Sequence, residues 1–516
     1  MQNTLLGLAI AIILVLTTAL AAPFFVDWSA YRGEFEASAR RLTGLNLHIT
    51  GAIDARLLPT PMLVMQEIEI ARADDGGMVR AQALHLEFSV GALLRGEWRI
   101  TDARLEGLEL ALGIDAAGRL DWSAPSVSFN PEDVSIERLE IDRGRAVLTH
   151  AASGARTVVE KLEFRGELRS LSGPLKGEGS FVVAGQHFQY RLSTTRFDAD
   201  SGVKLRLAVD PVDRPLAAEA DLSVSLEHGA PRFGGNVQLA RLVERAAADS
   251  QSPIVEPWRI TAHVKGDGTA AVFEQLELQY GPDERATKLR GNAELTFGRR
   301  SLLRAELSSP QIDLDRMVAL PERDRRRPLI AAKALIEALS GSIRIPVAVS
   351  LGIRIESVGL AGATIQRLSA ELDSDGEGIG IKSLEFRAPG VTQVSFRQKP
   401  ELMAAGVLLG ASTRIEANDS HALIAWLTGR SDEPAASPGS MRLVGDFTLS
   451  NVALGVERLS LDLERMSISG RLAYAWGGKG QNARLDAELS APEIDLDRAH
   501  HVRPHPRPEM PGKLPK

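Results

Sequence analysis

Short runs in which apolar and charged residues alternate recur along most of this chain, and they limit the folds that it can adopt. Successive side chains of a β-strand point to opposite faces, so each run builds a strand with one aliphatic and one charged face. Turn-forming clusters such as Asp74-Asp75-Gly76-Gly77 separate the runs. The pattern predicts a mainly β fold, an elongated, curled antiparallel β-sheet of repeated modules with a few short helices. The runs are Ile68-Glu69-Ile70, Leu84-His85-Leu86-Glu87-Phe88, Leu108-Glu109-Leu110-Ala111-Leu112, Leu139-Glu140-Ile141, Leu162-Glu163-Phe164, Leu205-Arg206-Leu207, Leu276-Glu277-Leu278, Leu384-Glu385-Phe386 and Leu459-Ser460-Leu461-Asp462-Leu463.

The first 26 residues carry no charged side chain, although the chain holds 60 Lys and Arg and 67 Asp and Glu. Residues 5–26 form an apolar run of 22 residues with only Thr17 and Thr18 as polar interruptions. About 20 apolar residues suffice to cross a bilayer as a helix, so the run predicts an N-terminal transmembrane anchor. A cleaved signal peptide is the alternative, because Ala19-Leu20-Ala21 resembles a cleavage site. Either interpretation exports the bulk of the chain.

The segment from Asp27 to Gly44 has the pattern of a short amphipathic helix. Trp28, Tyr31 and Phe35 recur at helical spacing and share one face, which Ala39 and Leu42 continue. Such a helix either lies on the membrane surface or covers the first strands. Its polar face is not rich in Lys and Arg, which favours the second interpretation.

A near-literal internal repeat indicates serial modules. Residues 305–316 recur as residues 487–498, identical at ten of twelve positions with an offset of 182. An Ala/Leu-rich pattern over Leu329 to Leu339 predicts a linker helix, and residues 421–427 predict a second, shorter one. The resulting domains are a transmembrane anchor, an N-terminal module, a β-repeat module, a linker helix, a second β-repeat module and a disordered Pro-rich tail, over residues 1–26, 27–125, 126–320, 321–340, 341–499 and 500–516.

Composition excludes several classes of function. The chain has no Cys, which rules out disulfides and thiolate metal sites, and its net charge of −7 without a long basic patch argues against a nucleic-acid partner. His500, His501 and His505 cluster in the Pro-rich tail, where plain disorder is favoured over weak metal binding. No Gly-rich phosphate loop and no nucleophile motif is present. We therefore expect no enzyme and no cofactor.

Two pairs of aspartates end the two copies of the repeat. They are Asp313 with Asp315 and Asp495 with Asp497. Either pair could bind Ca²⁺ or act as acid and base, but their duplication at repeat ends favours a structural role between strand and turn.

The aliphatic face of a wide sheet must be covered by a second protein layer or by lipid. Few helices are predicted to cover it, so the face is a candidate groove for acyl chains. The same side chains would equally form the core of a closed β-sandwich, which the strand pattern alone favours. The candidate groove residues are Leu84, Leu86, Phe88, Leu108, Leu110 and Leu112.

The combination of motifs in the first 125 residues resembles the AsmA family. The resemblance rests on Phe25-Val26-Asp27-Trp28 with Tyr31-Arg32, Leu57-Leu58-Pro59 with Pro61, Leu93-Leu94-Arg95-Gly96 with Trp98-Arg99-Ile100, and the segment from Asp115 to Trp122. The Ile-Asp-Leu-Asp repeats are similar to those that end later modules of this family.

The resemblance implies an inner-membrane protein of Gram-negative bacteria, a single-pass anchor with its bulk in the periplasm, related to chorein-type bridge proteins. Its expected role is outer-membrane biogenesis, with phospholipid carried along an apolar β-groove between membranes. The alternatives are a non-enzymatic factor for the assembly or targeting of outer-membrane proteins, or a structural envelope protein with a closed β-core. Expected partners are the inner membrane through residues 5–26, phospholipid, and other envelope proteins.

Overall fold

Strands dominate the computed structural model of the protein, which confirms the mainly β prediction. No helix among the residues that it describes is long and apolar enough to cross a membrane. The predicted anchor over residues 1–26, apart from Val26, lies outside those residues, as do the Pro-rich tail and the aspartates at 495 and 497. The described residues are 26–43, 46–70, 79–121, 134–198, 202–241, 257–283, 286–317, 325–331, 334, 347–374, 379–403, 407–429, 439–450, 452–464, 466–475 and 482–493.

Most strands are long, and most follow the preceding strand after a short connection. Those before residue 314 are β1 (Leu47–Ile49), β2 (Ile53–Arg56), β3 (Met62–Ile70), β4 (Val79–Phe88), β5 (Trp98–Glu106), β6 (Glu109–Ile114), β7 (Val134–His150), β8 (Ala155–Leu168), β9 (Leu175–Val183), β10 (Gln186–Thr194), β11 (Val203–Pro211), β12 (Leu216–Glu227), β13 (Ala230–Arg241), β14 (Trp258–Gly266), β15 (Ala270–Tyr280), β16 (Thr287–Thr296) and β17 (Leu302–Asp313). Those after residue 347 are β18 (Ala348–Leu360), β19 (Ala363–Ser374), β20 (Ile379–Ala388), β21 (Thr392–Gln398), β22 (Val407–Ala417), β23 (Met441–Ser450), β24 (Ala453–Leu463), β25 (Met466–Ala475) and β26 (Arg484–Ser490).

Helices are few and short among the described residues. Those with defined bounds are α1 (Arg32–Thr43), α2 (Val90–Leu93), α3 (Leu314–Met317) and α4 (Ser420–Thr428), with 3₁₀ turns at Trp28–Tyr31 and Pro400–Leu402. The helix predicted over residues 421–427 is therefore present as α4, which begins after the cap Asp419 and ends at Gly429 in the left-handed conformation. Of the predicted linker helix, residues 329–331 and 334 are described, and they are helical.

The chain divides into two compact units. Unit 1 comprises Met1–Leu307 with Val347–Ser350, and unit 2 comprises Ser308–Pro346 with Leu351–Lys516. In unit 1 each strand from β7 to β15 pairs antiparallel with the next one along the chain. In unit 2 the same serial pairing runs from β19 to β26.

Two pairings contradict the fully antiparallel meander that the sequence predicts. β5 and β6 both run parallel to β7, β5 along its first half and β6 along its second half. β6 and β7 are separated by 19 residues, 115–133, and consecutive parallel strands require a connection of about this length. Alternation of side chains fixes which face a residue occupies but not the direction of its strand.

The segment after Val26 covers the first strands, the favoured of its two predicted roles. Trp28 and Phe35 pack against a buried cluster of Ile49, Ile53, Met65, Ile68 and Ala81. Leu42 packs against Ile100, Ala103 and Val134. This end of the apolar face is therefore a closed protein core.

β-Bulges recur at the same place in several runs of alternating apolar and charged residues, namely at the residue before a leucine. Lys161, Gln275, Arg367 and Arg458 all have positive φ, and each directly precedes a leucine. The pairing register shifts at each of these positions. A bulge bends its strand and increases the local twist of the sheet.

Contacts within unit 1 bring distant turns of its sheet together. Leu120 N donates to Gly229 O at 2.9 Å, and His150 Nε2 donates to Gly268 O at 2.8 Å. Gly118 also packs directly against Gly268. The turns after β6 and β7 thus meet the turns after β12 and β14, which a flat sheet would keep several strand widths apart.

Candidate functional site

One face of the unit 1 sheet is apolar across many consecutive strands. Paired residues of adjacent strands lie on the same face, so the register traces each row. One row is Leu192, Leu207, Ala220, Val237 and Ala262. A second row is Tyr190, Val209, Ala218, Leu239, Ile260, Leu278 and Leu289.

The middle of this apolar face is only partly covered. Leu192, Leu205, Leu207, Leu222 and Val237 are half-buried, and Leu239 is 39% exposed. By contrast, Ile49 under α1 is 1% exposed. The aliphatic side chains of β10 to β13 therefore keep apolar surface open to solvent.

The sequence-predicted groove residues lie at the covered end of this face or next to it. Leu84 and Leu86 pack against the cluster under α1, and Phe88 packs against Ile100, Ala103 and Val134. Half-buried Leu110 and Leu112 belong to β6 and pair with Ala146 and Leu148 of β7. Half-buried Leu108 directly precedes β6, and its carbonyl accepts a hydrogen bond from Arg145 N at 2.6 Å.

The more open leucines of β10 to β13 are absent from that predicted set. The run Leu205-Arg206-Leu207 carries their sequence signal, but alternation alone cannot distinguish an open strand from a covered one.

Aromatic rings line the apolar face at β8 to β10. Phe181 stacks on Phe188 with ring centroids 5.2 Å apart, and Phe164 stacks on Tyr190 at 6.4 Å. Phe164 extends over Gly166 and Gly177, where a side chain would collide with its ring. The hydroxyl of Tyr190 donates to Glu163 O at 3.0 Å, and burial raises the pKa of Tyr190 to about 12. Glycine in β9 thus leaves room for the ring of Phe164, which packs with the other aromatic rings on the apolar face.

The opposite face of the sheet is charged and cross-linked by ion pairs. Arg206 binds Asp221 at 3.0 Å and Lys265 binds Glu274 at 2.8 Å. Hydrogen bonds from Gln279 and Arg290 lower the pKa of Glu277 to about 2. Side chains of this face, Arg206 and Asp221 among them, line a shallow depression of about 1170 Å³. Its cations and carboxylates are interspersed, as expected of a solvated sheet surface.

Asp313 and Asp315, the first pair of aspartates, have different structural roles. Asp313 ends β17 and its Oδ1 accepts from Arg316 N at 3.3 Å. The carboxylate of Asp315 accepts from Ala361 N at 2.6 Å and from Gly362 N at 2.9 Å. Asp313 thus lies at the end of a strand, whereas Asp315 lies in α3 and binds the turn between β18 and β19.

Within the described part of the chain, no group of three or more His, Asp or Glu side chains could hold a metal ion. The clustered histidines of the tail lie outside that part.

Comparison with known proteins yields one match. No curated protein and no solved structure matches the chain. A sequence model of the AsmA family matches residues 1–199, which include the N-terminal motifs, the core under α1 and the strands through β10. Over these N-terminal residues, the chain is therefore similar to the AsmA family.

Proposed function

We propose that the chain is an inner-membrane-anchored periplasmic protein of outer-membrane biogenesis that carries phospholipid along the apolar face of unit 1. The observation that carries this proposal is the partly open apolar face of β10 to β13. The match of residues 1–199 to the AsmA family is consistent with a role in the cell envelope.

The geometry supports acyl chains as the ligand. Each buried methylene gains about 0.8 kcal/mol, so a row of half-buried leucines can retain an acyl chain without a polar anchor. The bulges and the meeting of the turns at Gly118 and Gly268 favour a sheet that curls into a groove. A headgroup would then stay in water at the edge of the groove.

Photo-crosslinking of the full chain tests this proposal. A photoreactive amino acid at Leu207 should form adducts with phospholipid in envelope membranes, detected by mass spectrometry. The matched control is Arg206, the preceding residue of β11, which points to the charged face. We expect lipid adducts at position 207 and none at position 206.

The alternative functions predict different adducts. An assembly or targeting factor would cross-link to protein at these positions without lipid, and a structural protein with a closed core would cross-link to neither. Either outcome at position 207 contradicts the lipid conduit.

A further inference from the structure

One end of the unit 1 sheet presents four exposed apolar side chains, which we call the apolar tip. Leu57, Val90, Leu94 and Trp98 are 50%, 42%, 84% and 41% exposed. They share an end because β2 finishes at Arg56, β4 finishes just before Val90, and β5 begins at Trp98. Four such side chains on adjoining turns indicate a contact surface rather than scattered exposure.

The apolar tip is held rigidly by the structure beneath it. Ala92 of α2 is 0% exposed, and Glu97 N donates to its carbonyl at 3.0 Å. Leu94 N donates to Val90 O at 3.1 Å, and Trp98 packs edge-on against Phe88 at 6.0 Å. Leu94 therefore projects from a short helical turn whose inner side is anchored in the core.

The charges around the apolar tip cancel one another. Arg95 binds Glu97 at 3.0 Å, and hydrogen bonding between them raises the pKa of Arg95 and lowers that of Glu97. Arg99 lies 3.7 Å from Glu137. A surface that joins leucine, valine and tryptophan to internally paired charges fits the interface of a zwitterionic bilayer.

The chain before α1 runs along β2 toward this end of the sheet. Arg32 Nη2 donates to Gly51 O at 3.1 Å, and Ile53 N donates to Ser29 Oγ at 3.5 Å. From Arg32 back to Ser29 the chain thus follows β2 in the direction of Leu57. Val26, which is 37% exposed and ends the apolar run of residues 5–26, lies three residues before Ser29 in the chain.

We propose that the apolar tip inserts into the interface of the membrane that holds residues 5–26, as a second contact that fixes the sheet against the bilayer. The inference rests on the membrane attachment in the proposed function. It gives the four side chains a role separate from lipid carriage, because the apolar face beside them is closed by α1.

The lack of cysteine in the chain allows a direct test. Leu94→Cys, labelled with an environment-sensitive nitrobenzoxadiazole dye, is examined in the full chain reconstituted into phosphatidylcholine vesicles. We expect a several-fold rise in emission, and quenching by nitroxide lipids with the spin label near the headgroup. Because the nearby charges are paired, the signal should change little with salt.

The matched control is Val212→Cys, an exposed valine in the turn between β11 and β12 of the same unit. Its label should emit as in water. A chain that floats with the vesicles while the label at residue 94 remains aqueous overturns tip insertion and leaves the anchor intact. A chain that does not float overturns both, and lipid carriage is judged separately by the adduct at Leu207.

Discussion

Two buried threonines, Thr392 and Thr413, differ in the hydrogen bonding of their hydroxyls. Both are almost fully buried, at 0% and 1% exposure. The hydroxyl of Thr392 donates to Pro389 O at 2.7 Å. That of Thr413 has no hydrogen-bond partner within the described residues.

Replacing each threonine by valine should therefore change stability in opposite directions. Thr413→Val removes a buried, unsatisfied hydroxyl and should raise the free energy of unfolding by about 1 kcal/mol. Thr392→Val removes a satisfied one, leaves Pro389 O unpaired, and should lower it by about 1 to 2 kcal/mol. Urea unfolding of the two variants beside the native chain measures both changes, and a loss of stability in Thr413→Val would contradict this assignment.

Tyr190 should make the stability of the protein depend on alkaline pH. Its pKa is about 12 in the folded chain against 10.0 for the free side chain, because burial disfavours the phenolate. Between these values the unfolded chain loses the proton first, so stability falls as the pH rises from 10 to 12. Tyr190→Phe loses the hydrogen bond to Glu163 O, which lowers stability by about 1 kcal/mol below pH 10, but it also loses this pH dependence.

The deficit in unfolding free energy of Tyr190→Phe relative to the native chain should thus shrink and then change sign as the pH rises toward 12, because ionisation of Tyr190 in the unfolded native chain outweighs the lost hydrogen bond. Lysines titrate in both proteins and cancel in the comparison. A difference that stays constant would show that the phenol ionises alike in both states.

At the scale of elements, each bulge bends its strand and requires one residue in the left-handed backbone conformation. Lys161 has a φ of 50° and Gln275 a φ of 52°, a region that glycine occupies more easily. Their polar side chains offer no sequence signal for this conformation. The alternation of apolar and charged residues predicts the strand, but it does not show where the extra residue of the bulge lies.

Glycine should be tolerated at a bulge and harmful in a regular strand. Lys161→Gly relieves the strained φ and should leave the free energy of unfolding unchanged or raise it by up to about 1 kcal/mol. Lys176→Gly, at an exposed lysine of the regular strand β9, should lower it by about 1 kcal/mol. Thermal unfolding of the pair tests the bulge, and equal losses would argue against it.

The repeat-end aspartates should also differ when each is removed. Asp315→Ala leaves the amides of Ala361 and Gly362 without their carboxylate and should cost about 2 to 3 kcal/mol. Asp313→Ala removes one longer bond to Arg316 N and an exposed ion pair with Arg316 Nε at 3.0 Å, and it should cost less than about 1 kcal/mol. Chemical unfolding distinguishes them, and equal effects would mean that the turn does not depend on Asp315.

At the scale of the whole molecule, the apolar face should retain lipid as one surface. Leu207→Asp places a charge in the middle of a half-buried row, where an acyl chain would have to desolvate it. We expect less phospholipid to copurify with the full chain, measured by mass spectrometry, while circular dichroism stays unchanged. Arg206→Asp on the charged face is the control, and an equal loss of lipid in both variants would contradict the assignment of the face.

The sequence by itself determined the secondary structure class and the two-faced character of the strands, because alternation with a period of two follows directly from strand geometry. It also indicated α4 and the helix that covers the first strands, whose apolar spacing is local. The resemblance to the AsmA family comes from motifs in the N-terminal quarter of the chain, and the family model that matches residues 1–199 supports it.

Only the tertiary structure decided where the apolar face is closed and where it is open. Leu84 and Leu205 stand in similar runs, yet Leu84 packs against the core beneath α1 and Leu205 is half-buried away from that core. The alternating pattern also could not predict the parallel pairing of β7, the bulges, or the hydrogen bond between Asp315 and a turn 46 residues away. The physical reason is that alternation records which side of a strand is apolar, whereas strand direction, register and cover depend on residues distant in the chain.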